Sequence, residues 1–140
     1  MGHVTAIDRS VEKANIWVNE RADQLDTDDH QYAYRVLRAF LHTLRDRLTL
    51  QETAQLAAQL PELIRGLYYE NWNPSHTPAS YHDAKEFLDR LAAAAAMHGD
   101  TEASFATAAA AHVLREHVTP GEIEDVLAVL PTEIRSLLSD

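Results

Sequence analysis

Residues 42–67 read HTLRDRLTLQETAQLAAQLPELIRGL, and residues 112–137 read HVLREHVTPGEIEDVLAVLPTEIRSL. The two stretches align without a gap. The shift that carries His42 onto His112 also carries Leu44 and Arg45 onto Leu114 and Arg115, Thr49 and Glu52 onto Thr119 and Glu122, Leu60 and Pro61 onto Leu130 and Pro131, and Ile64 and Arg65 onto Ile134 and Arg135. The identities cluster where helices start and stop, which is the mark of a duplicated structural unit. Upstream the match weakens, although SVEKANIWVNE still falls on SYHDAKEFLDR.

Each copy parses by its boundary signals. Thr49 with Glu52, and Thr119 with Glu122, read as capping boxes, in which the hydroxyl accepts from a free first-turn N–H and the Glu reaches back to the Thr N–H. Pro120 takes the first helical position, where its missing donor costs nothing. Pro61 and Pro131 end one short helix and open the next. The spacing predicts helices over Ser10–Leu25, Asp29–Leu48, Leu50–Gln59 and Pro61–Tyr69, repeated over Ser80–Met97, Thr101–Val118, Pro120–Val129 and Pro131–Leu138. Ala33, Val36, Leu37, Phe40, Leu41, Leu44 and Leu48 form one apolar stripe; Ala103, Ala106, Ala110, Val113 and Leu114 trace its counterpart in smaller residues. The expectation is an all-α fold of two tandem four-helix units, about 10–70 and about 80–140, packed into one domain over 1–140. A unit of this size alone makes a marginal core, whereas the whole chain can bury roughly 70% of its unfolded surface.

The charge is −10, from 12 Lys and Arg against 22 Asp and Glu. Residues 1–70 carry eight basic and eleven acidic side chains, a net of −3; residues 71–140 carry four and eleven, a net of −7. Such a surface repels phosphate backbones and argues against a nucleic-acid partner. Arg35, Arg38, Arg45 and Arg47 are the nearest approach to a basic stripe; Asp46 interrupts it, and the spacing reads as a solvated helix face. With no cysteine, thiol catalysis, zinc knuckles and disulfides are excluded. No apolar run approaches the ~20 residues that span a bilayer, and the N-terminus lacks a secretory pattern. The expectation is a cytoplasmic protein without a membrane partner.

The stretch LPELIRGLYYENWNP, followed by EFLDRL and by TPGEIEDVLAVLPTEIRSL, resembles the bacterial family designated domain of unknown function 2267 over nearly the whole chain. That family commonly has Gly between the Glu and the Trp, where Asn71 stands here. The resemblance implies a helical fold and a cytoplasmic bacterial setting, and it brings no activity, cofactor or site residue.

Few residues invite a chemical reading. His42 and Asp46, and His112 and Glu116, are four apart on a helix, where a carboxylate raises an imidazole pKa; kept in both copies, they read as structural surface pairs. Arg65 and Arg135 follow Pro and Ile at a fixed distance and are expected to clamp a carboxylate of their own unit. No Glu-x-x-His is present; His76, His82 and Asp83 form only a loose group, so no metal, cofactor or catalytic residue is assigned. Phosphate loops and nucleophile elbows are also missing.

RGLYYENWNPSHTP, residues 65–78, has no full counterpart in the second copy. Asn71 reads as a left-handed helix stop with Pro74 behind it, which predicts a positive φ. Tyr68 and Trp72 are expected to wedge the two units together. Tyr69, Glu70, Trp72, His76 and Tyr81 are the candidate contacts, the aromatics being expected at the surface as interface anchors. The leading expectation is a non-enzymatic interaction or regulatory module, with self-association or a protein partner. The alternative is a small-ligand binder or enzyme with a cleft between the units, lined by Trp17, Tyr32, Tyr68 and Trp72.

Overall fold

A computed structural model describes residues 2–139 and shows an all-α fold. Its helices are α1 (Thr5–Gln24), α2 (His30–Arg47), α3 (Leu50–Ala57), α4 (Glu62–Tyr69), α5 (Ala84–Ala95), α6 (Asp100–His117), α7 (Pro120–Ala128) and α8 (Thr132–Leu138), with a 3₁₀ turn at Pro74–His76. The shift that aligns the two sequence stretches also carries both ends of α2 onto those of α6, and the start of α3 onto that of α7. None of these helices is long and apolar enough to cross a membrane.

The local signals explain most of these boundaries. Asp29 accepts from the Tyr32 N–H at 3.0 Å and starts α2. Thr49 and Thr119 accept from the Glu52 and Glu122 N–H groups at 3.1 and 3.3 Å and start α3 and α7. Asn71 has φ 61°, as its place after α4 predicts. Two further left-handed residues, Asp26 and Ala96, hold equivalent positions in the two copies and end α1 and α5 with the same bond: Thr27 N–H to Ala22 O at 3.0 Å, and Met97 N–H to Ala92 O at 2.8 Å. This six-to-one bond is the signature of a Schellman stop.

Two helix starts differ from expectation. Helix α1 begins at Thr5 rather than Ser10, with Asp8 in its first turn favouring the helix dipole. Helix α5 begins at Ala84 rather than Ser80, because the strap ahead of it, residues 77–81, is tied to the end of α2. Thr77 Oγ1 donates to Leu48 O at 2.9 Å, Ala79 N–H to Asp46 O at 2.7 Å, and Arg47 Nε to Tyr81 O at 2.8 Å. Pro78 also disfavours helix at Thr77.

The core is built on α2 and α6. All seven residues of the α2 stripe and all five of its α6 counterpart are buried. Helix α1 packs on α2, α4 and α6; α2 on α4, α5 and α6; α5 on α6 and α8; α6 on α8; and α3 on α7. Helix α8 also packs on α7; apart from that contact, exchanging α1 with α5, α2 with α6, α3 with α7 and α4 with α8 returns the same set of pairs. At the self-paired contacts, α2 with α6 and α3 with α7, equivalent positions of the two copies meet: the Tyr32 hydroxyl donates to Glu102 Oε2, and Glu52 faces Glu122.

Candidate functional site

The C-terminal end of α4 points its free carbonyls at α2, and α2 answers with cations. Arg45 donates to Tyr68 O and Glu70 O, both at 2.8 Å, and pairs with Asp46 at 2.9 Å. His42 Nε2 donates to Leu67 O at 2.6 Å, and Arg38 Nε to the Glu70 carboxylate at 2.8 Å. Arg35 Nε caps Ala95 O, the end of α5, at 2.7 Å. The α2 arginines are a solvated face only in part: Arg35 is exposed and Arg38 half-buried, whereas Arg45 and Arg47 are buried, and all four hold a carbonyl or carboxylate of another segment. Helix periodicity had placed them on the polar side; the strap and the end of α4 cover that side.

The histidine pairs part company. His112 lies 3.6 Å from Glu116 on the surface. His42, by contrast, is half-buried under α4, Asp46 is taken by Arg45, and the His42 pKa is lowered, by burial first, instead of raised by a carboxylate.

Arg65 and Arg135 do not form the expected ion pairs either. Arg65 Nε and Nη2 donate to Ala57 O and Leu60 O at 2.8 and 2.9 Å, and Arg135 donates to Leu127 O and Leu130 O at 2.9 and 3.1 Å. The planar fork closes the end of the preceding helix, where carbonyls lack intrahelical partners.

Of the candidate contacts, Glu70 is exposed and paired with Arg38, and His76 is exposed with Nδ1 3.1 Å from Asn73 Nδ2. Tyr69, Trp72 and Tyr81 are half-buried rather than surface anchors. Tyr69 lies 5.4 Å from both Tyr68 and Trp72, ring centre to ring centre. Tyr81 lies between the Arg90 and Arg47 guanidiniums, 4.5 and 5.8 Å from its ring centre. Tyr68 is fully buried, its hydroxyl donating to Thr53 O at 3.0 Å on α3, so its polar anchor lies within the first half of the chain and not across the joint. Among the described residues no three His, Asp or Glu side chains gather as metal ligands, so His76, His82 and Asp83 remain apart. The inter-unit cleft does not form from its four residues: Trp17 and Tyr68 are core, and Trp17 stacks on His117 at 4.7 Å.

What the structure offers in their place is an apolar groove of ≈ 390 Å³ between α1, α2 and α4, with Ala14, Val18, Tyr34, Leu63 and Leu67 in its walls. The α1 residues in it belong to a continuous stripe at helical spacing. Leu25 and Ala22 are buried and Val18 and Ala14 half-buried, while Val11, Ile7 and Val4 are exposed, Ile7 at 62%. Leu63 across the groove is 48% exposed and Tyr34 45%. Helical spacing aligns these residues on one face, and the bundle ends before the stripe does.

Charged groups in the interior are the second unusual feature. Arg21 is wholly buried on α1, none of its three guanidinium nitrogens has a partner among the described residues, and burial lowers its pKa to about 9. Glu52 and Glu122 are 6% and 7% exposed and face each other, and among the described residues Oε2 of each is buried without a donor. Burial, together with the bond to and charge of Glu52, pushes Glu122 up to about 8. The reciprocal half of the second capping box is displaced, since Thr119 N–H donates instead to Gln59 Oε1 at 2.9 Å.

The model of a family described as "Uncharacterized conserved protein (DUF2267)" matches residues 14–137, which includes every wall of the groove and starts beyond the first turns of α1. A search of curated proteins returns no match.

Proposed function

The chain belongs to the DUF2267 family, and on that premise we propose that it is a non-enzymatic interaction module of two four-helix units in one domain, which self-associates through the α1–α2–α4 face. One observation carries this reading: the α1 stripe leaves the core and stays apolar, with Val11, Ile7 and Val4 exposed beside a groove whose rims are Leu63 and Tyr34. Exposed apolar surface that is contiguous, and not scattered, marks interaction sites. The occupant is a second copy, because the same face carries both an apolar groove and an apolar helix end. Each copy then lays its own α1 turns against the other's groove, the isologous arrangement that closes a two-fold dimer. The residues that invited chemistry support a binding role by their employment: Arg65, Arg135, His42, Arg45 and Arg47 all cap carbonyls.

Light scattering coupled to size exclusion tests this. The parent chain is expected to run as a dimer at high concentration, and Ile7→Glu combined with Leu63→Glu as a folded monomer. A parent that stays monomeric at every concentration overturns the self-associating reading. The groove also exceeds the ~300 Å³ at which small-molecule sites begin, which favours a second reading as an apolar-ligand site; retention of an apolar fluorescent probe by the monomeric parent, lost on Leu63→Glu, would support it.

A further inference from the structure

We propose that Glu52 and Glu122 form a proton-held clasp between α3 and α7 that loosens as pH rises above neutrality. Thr49 and Thr119 start these helices and set a glutamate at the same position in each first turn. Because α3 packs on α7, these two equivalent positions meet, and the carboxyls face each other out of water. Two ionised carboxylates in contact repel, and burial makes the repulsion stronger; one shared proton turns it into a hydrogen bond. The contact therefore holds while Glu122 keeps its proton.

The surrounding groups push the same way. Asp125, also on α7, adds negative charge beside Glu122. The Tyr68 hydroxyl of α4 lies near Glu52 but is spent on Thr53 O. Gln59, just past the end of α3, is neutral and bonds Thr119 in both directions, Nε2 to Oγ1 at 3.1 Å and Oε1 from N–H at 2.9 Å. Burial, Glu52 and Asp125 all push the Glu122 carboxyl the same way, towards its protonated form. The clasp matters beyond itself, since Arg65 and Arg135 fasten α4 to the end of α3 and α8 to the end of α7.

The sign follows from linkage. With the folded pKa raised, the unfolded chain holds fewer protons than the folded one between the ordinary carboxylate range and the folded value. Stability is full below that range and is lost as pH rises through the folded value of about 8.

The test is urea unfolding of the full chain at about pH 6 and about pH 9, for the parent, Glu122→Gln and Glu52→Gln. From the ordinary carboxylate range up to about 8, where it levels off, the parent's unfolding equilibrium constant is expected to rise by about tenfold per pH unit. Either amide variant, which keeps a hydrogen-bonding side chain without the charge, should flatten that slope. Hydrogen exchange, corrected for its intrinsic pH dependence, should show α3 and α7 deprotecting at high pH in the parent only. Variants that keep the parent's slope overturn the proposal. Should neither variant fold, carbon NMR titration of the parent's glutamate carboxyls decides: a Glu122 midpoint in the ordinary carboxylate range overturns it, and one above neutrality upholds it.

Discussion

Where the first half of the chain buries Arg21, the second half buries Leu91 at the equivalent position; where the first sets Phe40 on the inner face of its long helix, the second sets Ala110. The stops of α1 and α5 share one hydrogen-bond pattern, yet one uses Asp26 at the left-handed position and the other Ala96. His42 and His112 are the same residue in different employment, one under α4 and one beside Glu116 on the surface. The difference teaches that helix ends match while side chains complement. α2 and α6 pack against each other, and two large faces would not fit where a large and a small one do.

The comparison breaks most sharply at Arg21. An unpaired buried charge costs stability, and the second half shows that an apolar side chain suits the position. Arg21→Met is therefore expected to stabilise the chain by about 1–4 kcal/mol in urea unfolding. A loss of stability would mean that the guanidinium has partners in solution.

The paired forks sharpen the comparison next. Arg65→Ala and Arg135→Ala each remove two charge-assisted bonds to helix-end carbonyls, and about 1–2 kcal/mol of destabilisation is expected for each, allowing for their partial exposure. Arg65, the more buried of the two, should cost more. Lysine should rescue neither fully, because it cannot fork. Equal stability of both alanine variants with the parent would remove the capping role.

The smallest effect is at the helix stops. Ala96 pays for a left-handed conformation that glycine adopts freely, so Ala96→Gly should gain about 0.5–1 kcal/mol, read as a higher melting temperature. Asp26→Gly should gain less, since Asp tolerates that region better.

Much of the fold was legible because its signals are short-range. A threonine hydroxyl reaches an N–H three residues on, and Asn71 can take a positive φ on its own account. The α2 and α6 stripes were legible because burial repeats with the helix period. Little of the candidate site was. Arg45 and Arg47 sat on what periodicity calls the polar side, and nothing nearby in sequence announces that Tyr68 O, Glu70 O and Tyr81 O will come to meet them. The aromatics of the joint were visible as aromatics, but their half-burial depends on α2 and on the strap beneath them.

By itself, then, the sequence determined the helices, most of their ends and the inner faces of α2 and α6, since each depends on residues within a turn or two or on a pattern that repeats. Only the tertiary structure decided that Glu52 would face Glu122, that Arg21 would be enclosed without a partner among the described residues, and that the α1 stripe would outrun its bundle. Those outcomes depend on which faces meet and where packing stops, and a helical period specifies a face without specifying what covers it.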